Sequence, residues 1–312
     1  MKEGAGPIRS ILSALTANFL IAISKFIAAA FTGSSAMFAE GIHSMADCLN
    51  QVLLLIGLKE AKKPADADHP MGYGKVSYFY SMIVALLLFL LGGIYSAYTG
   101  IHRLINPEPL KDVPVALIVL LLSAALEGKA LLFALKEVKK QAGRKPFYQW
   151  WKETRQSELI VVTGEDIGAL MGLTVSFVFL TFAWLTGNPI YDAIGTLCVG
   201  LILMVVSFMV LKEVKAMITS ESADPQMRKD LQIFLEARPE IKEVIEVITL
   251  TMGEKIMVSV KADMAEKENA TKMVDDINIV EDAIKKKWPN VAWTFFEPDH
   301  ARKKKKIKQL IA

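Results

Sequence analysis

A chain of 312 residues with 53% hydrophobic side chains and a mean hydropathy of +0.35 carries more apolar surface than one soluble core of that length needs. The formal net charge is only +3, with the charged residues crowded into a few segments and nearly missing from others, so the surplus points to lipid. Cys48 and Cys198 lie in apolar runs without a CxxC partner, which argues against a disulfide framework and against a thiolate metal cage.

The N-terminal MKEGAGPIRS leads into an apolar run without a clear small-residue cleavage site, and so reads as a first membrane anchor. Runs long enough to cross a bilayer follow at about 11–31, 36–58, 78–104, 113–136, 158–186 and 190–211, which predicts six spans. Thr32-Gly33-Ser34-Ser35, Asn106-Pro107-Glu108-Pro109 and Gly187-Asn188-Pro189 break the helices and fall on one side of the membrane. The opposite side collects Lys2, Arg9, Lys59, Lys62, Lys63 and Lys75, then the basic segment from Lys136 to Arg155, then Lys212 and Lys215. That side is expected to be cytosolic, with both termini inside.

Past about residue 218 the composition becomes that of a soluble domain. A charged helix pattern at 225–237 precedes strand-like runs at 244–251 and 255–262, a second helix pattern at 269–287 and a short strand at 291–296. The αββαβ order predicts a small α+β, ferredoxin-like domain beside an all-α six-helix membrane bundle. The expected division is 1–217 for the bundle, 218–300 for the soluble domain and 301–312 for a basic tail. That tail reads as a solvated or lipid-surface segment, and a nucleic-acid partner is not expected beside six spans.

Ionisable groups inside a span are costly and mark function by default. In the second span Glu40, His43, Asp47, Asn50 and Gln51 are spaced by three, four, three and one, forming one polar stripe along a helix. An imidazole and a carboxylate one turn apart suit zinc or a related first-row ion. In the fifth span the adjacent Glu165 and Asp166 precede Gly168, Ala169 and Gly172, small residues that let another helix approach closely. If the second span is that neighbour, His43, Asp47 and Asp166 supply three metal ligands, with Glu165, or Glu127 of the fourth span, as a fourth. A lone buried Glu127 could equally be interhelical glue, and Lys25 of the first span reads as a snorkelling side chain or a partner for one of the acids.

These residues resemble the cation diffusion facilitator family, and within it the zinc transporter nine-like branch. The features that carry the resemblance are Gly33-Ser34-Ser35, His43-Ser44-Met45-Ala46-Asp47, His69-Pro70-Met71-Gly72-Tyr73-Gly74-Lys75, the fifth-span carboxylates and Phe296-Glu297-Pro298. The resemblance implies a homodimer that exports a divalent metal by alternating access in exchange for protons. The cargo would be zinc, with manganese, iron or cobalt as alternatives, and the expected location is a bacterial inner membrane. It puts ligand positions at His43, Asp47 and Asp166. Val162 stands where the family usually has a further His or Asp, which makes Glu165 or Glu127 the candidate replacement. A second metal site in the loop between spans two and three would use Asp66 and His69, where Tyr73 stands in place of a third ligand. The soluble domain has no histidine between 222 and 299 and is expected to dimerise without sensing metal.

Two rival readings are an intramembrane metalloenzyme and a metal-binding scaffold that moves nothing. The first is disfavoured by the lack of an HExxH or comparable base beside the ligands, and no enzyme activity is expected.

Overall fold

The computed structural model describes residues 5–266 and 268–300, with side chains near the chain start described at Leu15 and from Asn18 on. The basic tail and Lys2 lie outside the described residues. The described residues divide into two compact units, one within 5–60, 76–152 and 157–215, the other within 61–75, 153–156 and 216–300.

The first unit is helical: α1 (Ala5–Thr32), α2 (Ser35–Ala61), α3 (Val76–Ile105), α4 (Val113–Ala142), α5 (Phe147–Glu153), α6 (Ser157–Thr186) and α7 (Ile190–Ile218). Helices α2, α3, α4, α6 and α7 are long and apolar enough to cross a membrane, and the described apolar part of α1 is Asn18–Thr32. Their bounds follow the apolar runs of the sequence to within a turn or two. Side chains such as Phe133, Leu132 and Leu185 point outward and exposed, as a surface facing hydrocarbon requires. The short α5, FYQWWKE, has no counterpart among the sequence-based expectations; it buries Trp150 and Trp151.

Helix α1 ends at Gly33 (φ +69) and α6 at Gly187 (φ +66), left-handed positions that cost a glycine nothing sterically. The three helix-breaking turns meet at one end of the unit. The Lys111 amide donates to the Thr32 carbonyl at 2.7 Å, and the Asp192 carboxylate at the start of α7 accepts from the Ser34 hydroxyl (2.6 Å), the Ser35 hydroxyl (2.7 Å) and the Ser35 amide (2.8 Å). Inside, α4 lies along α6 and α1 along α4, over a core that includes Met37, Leu117, Leu120, Leu173 and Leu180. Helices α3 and α7 come close enough that a β-carbon at Gly200 would stand 2.5 Å from the Ala97 nitrogen. In mid-span α3 winds as a π-helix over Leu88–Ile94, an interruption often found at functional sites.

The second unit contains α8 (Pro225–Glu236), β1 (Ile241–Met252), β2 (Lys255–Met264), α9 (Ala270–Lys287) and β3 (Val291–Pro298), the expected αββαβ order. Asp224 caps α8 by accepting from the Gln226 and Met227 amides, and Asn269 caps α9 at the Lys272 amide. The sheet is mixed, in the order β1-β2-β3, with β1 antiparallel and β3 parallel to the central β2. Leu231 and Leu235 of α8 and Val280 and Ile284 of α9 pack with Ile256, Val258 and Val260 of β2, so both helices cover one face. Ile248, Met257, Trp293 and Phe295 belong to the other set of alternating positions, where Ile248 and Phe295 are exposed. Loop 61–75 belongs to this unit: the Gly74 backbone lies against Met252 and Gly253 of the β-hairpin turn, and Lys75 donates to the Ser220 hydroxyl at 2.8 Å.

Candidate metal site

Helix α2 presents its polar stripe to the interior of the first unit. Glu40, His43, Asp47 and Asn50 are all buried, with exposures of 4% or less. His43 Nδ1 lies 3.6 Å from Asp47 Oδ1, too far for a hydrogen bond. Both ring nitrogens of His43, Oδ1 of Asp47, both amide atoms of Asn50 and Oε1 of Gln51 are buried without a hydrogen-bond partner. Leaving such a group unsatisfied costs about 1–3 kcal/mol, and native interiors rarely tolerate several together. A row of orphaned nitrogen and oxygen donors is a poor core, but its chemistry fits a divalent cation.

From α6, Glu165 is buried and has Asp47 and Asn50 as its neighbours on α2. Helical spacing accounts for the choice between the adjacent acids. Glu165, Gly168, Gly172 and Ser176 follow at three, four and four, so the side that carries Glu165 is also the side pared down to small residues. Asp166, one residue and about 100° around the helix, is only partly buried; the carboxylate acting on it from another helix is Glu127. Glu127 of α4 is itself buried, within electrostatic reach of Lys25, Glu40, Asp47 and Glu165. Val162 is partly buried and brings no donor. The π-helical part of α3 passes the same place: a β-carbon at Gly92 would stand 3.5 Å from His43 Nδ1. Among the described residues, no three His, Cys, Asp or Glu side chains are already gathered as a coordination cage. The structure thus joins His43, Asp47 and Glu165 in one buried group, keeps the buried Glu127 within electrostatic reach of it and leaves Asp166 only partly buried.

Lys25 does not snorkel. It is 1% exposed, and its ammonium donates to Glu40 Oε2 at 3.1 Å and to the Ser44 hydroxyl at 2.8 Å. Sequence reasoning took Ser44 only as part of a motif and did not single out Ser176 or Asp192. The last was detectable as an acid inside an apolar run, one turn before Thr196.

In loop 61–75 Asp66 is already engaged. One oxygen accepts from the Tyr73 hydroxyl at 2.6 Å and the other from the amides of His69 (2.7 Å) and Asp68 (3.1 Å). The Tyr73 hydrogen bond, helped by the His69 amide, holds the Asp66 carboxyl below its ordinary pKa, and the same bond raises that of Tyr73. His69 stacks on Tyr73 with ring centroids 4.1 Å apart, its Nδ1 3.6 Å from Asp66. Tyr73 therefore organises this turn around Asp66. In the second unit His300 is exposed, 3.8 Å from Asp263.

The model of the cation efflux transmembrane domain matches residues 11–219. The chain belongs to the cation efflux family. Over 251 residues, 80% of this chain, it is 35% identical to the mitochondrial proton-coupled zinc antiporter SLC30A9 of Xenopus laevis and 32% identical to that of Homo sapiens. It spans less than half of those relatives, 45% and 44% of their lengths. It is also 23% identical to the manganese efflux system protein MneP of Bacillus subtilis, across 81% of this chain and 82% of that one. The names of these relatives describe transport and no enzyme activity.

Proposed function

We propose that this cation efflux protein exports divalent metal, zinc first, from the cytosol in exchange for protons, through a site between α2 and α6. The observation that carries the reading is the buried, orphaned donor layer of His43 and Asp47 beside Glu165. Imidazole and carboxylate hold a metal only when deprotonated, so binding releases protons and protonation from the far side ejects the cargo. Access alternates as the helices rock around a mid-membrane site. His43, Asp47 and Glu165 would be the ligands, with Glu127 and Asp166 as further carboxylates on the ion's path.

In this reading α1 is the sixth span, both termini are cytosolic, and the membrane is an energised one such as a bacterial inner membrane. Residues 1–217 form the transport domain, 218–300 a ferredoxin-like dimerisation domain and 301–312 a basic tail. The αββαβ order and a sheet face carrying Ile248 and Phe295 exposed favour a homodimer. The relatives named as proton-coupled zinc antiporters support the choice of ion and coupling. A manganese exporter is the second reading, favoured by the excess of carboxylates over imidazole and by the relative named for manganese efflux.

The test is metal uptake into proteoliposomes loaded with a zinc- or manganese-responsive dye, with and without a pH gradient. Wild type is compared with Asp47→Ala, Glu165→Ala and Asp166→Ala. Gradient-dependent uptake lost in the first two supports the exchanger; folded, inserted protein that moves neither ion ends the reading.

A further inference from the structure

A lysine sealed inside a bundle that handles cations needs a physical reason. Lys25 is 1% exposed at the level of the donor layer, with its ammonium between Glu40 (3.1 Å) and the Ser44 hydroxyl (2.8 Å), both on α2. The other Glu40 oxygen accepts from the Ser176 hydroxyl of α6 at 3.4 Å and would stand 3.2 Å from a β-carbon at Gly172. The pair therefore ties α1, α2 and α6 together. Ser44 directly follows His43, and the Lys25 charge acts on His43, Asp47 and Glu127. A fixed positive charge there opposes an arriving divalent cation, while its hydrogen bond occupies a carboxylate that would otherwise add to the cargo's ligands.

We propose that Lys25 is an affinity-setting positioning residue, a tethered ammonium that withholds Glu40 from the metal and keeps binding weak enough for release. The inference rests on the site between α2 and α6. Ion pairing alone would serve as a strut between helices, and the two roles differ in sign. A strut lost from either side lowers yield or rate and leaves the metal dissociation constant alone. A tethered counter-charge moves that constant in opposite directions when its two halves are removed.

The experiment is zinc titration calorimetry on the detergent-purified full chain together with proteoliposome flux, for Lys25→Met, Glu40→Gln, the double variant and Lys25→Arg. Lys25→Met is expected to tighten zinc binding about tenfold and slow turnover, and Glu40→Gln to weaken binding about tenfold, since full charges interact strongly at low dielectric. The double variant returns toward the wild-type constant, and Lys25→Arg stays near it. Lys25→Gln, which keeps a hydrogen-bond donor for Glu40, replaces Lys25→Met should the latter fail to insert. Single variants that shift the constant in the same direction, or not at all, overturn the proposal. Asp47→Ala separates the two failures: if it abolishes zinc binding while the Lys25 and Glu40 variants leave the constant unmoved, only this inference falls. If Asp47→Ala binds zinc normally, the site itself is misplaced.

Discussion

In the membrane unit Lys25, Glu40, His43, Asp47, Glu127 and Glu165 are buried together. In the second unit the buried positions are filled by residues such as Leu231, Leu235, Val258 and Ile284, and charges pair nearer the surface, as in Lys261 with Glu297 and Asp299 or Lys272 with Glu266. Asp263 is an exception, a buried carboxylate met at 3.5 Å by the exposed Lys242. Burial is costly for charge in either setting, so its concentration in one layer of the first unit marks work that a hydrophobic core does not require. The second unit spends its polar groups on caps, turns and solvation.

The strongest way to break the contrast is at the donor layer. Asp47→Ala and Glu165→Ala should each lower metal flux by about 100-fold or more, since even residues that only support metal ligands are worth 10–100-fold. Flux rates at equal protein density in the vesicles check this. A functional Asp47→Ala would mean that the buried charge serves the fold alone.

Next comes the core of the second unit. Leu231→Ala, at a fully buried position, should cost about 2–5 kcal/mol, read as lost hydrogen-exchange protection across α8 and β2 of the full chain. Protection in α2 and α6 should stay unchanged, because each unit has its own core.

A finer cut divides the adjacent acids. Asp166→Asn should reduce flux by about fivefold or less, against the far larger loss for Glu165→Ala, because in a partly buried place a change of charge counts for less. Equal losses would put Asp166 among the ligands, where the family resemblance puts it. That resemblance and the helix face point to different neighbours on α6, and only the packing of α2 against it separates them. Glu165 was legible in outline, since it shares its face with Gly168 and Gly172. For Lys25 the sequence left two readings, a snorkelling side chain or a partner for one of the acids, and only the structure names Glu40, fifteen residues away on another helix; the role of Tyr73 was not legible, because a tyrosine's hydrogen bond depends on how its loop turns.

The smallest expected effect is on pH. Glu266 is held at about 2, below its ordinary 4.5, first by the hydrogen bond from Lys272 and then by the amides of Glu268 and Asn269. A depressed carboxyl pKa adds stability above the ordinary value that disappears as pH falls from about 4.5 toward 2. Glu266→Gln should flatten the second unit's loss of stability over that window by a small amount, measured by hydrogen exchange against pH, and leave flux at neutral pH unaltered. An unchanged acid limb would show that this pairing has no thermodynamic weight.

Apolar run lengths, helix-breaking turns and the alternation of the last hundred residues determined the five long apolar helices, the αββαβ order and the polar stripe of α2, because these depend on local periodicity and on the thickness of a bilayer. The neighbours of each buried charge were decided only by tertiary structure. Lys25 on Glu40, Glu165 rather than Asp166 beside Asp47, and Asp192 under Ser34 and Ser35 each join residues on different helices, whose rotation and depth follow from how small residues and side-chain ridges interlock across the whole bundle.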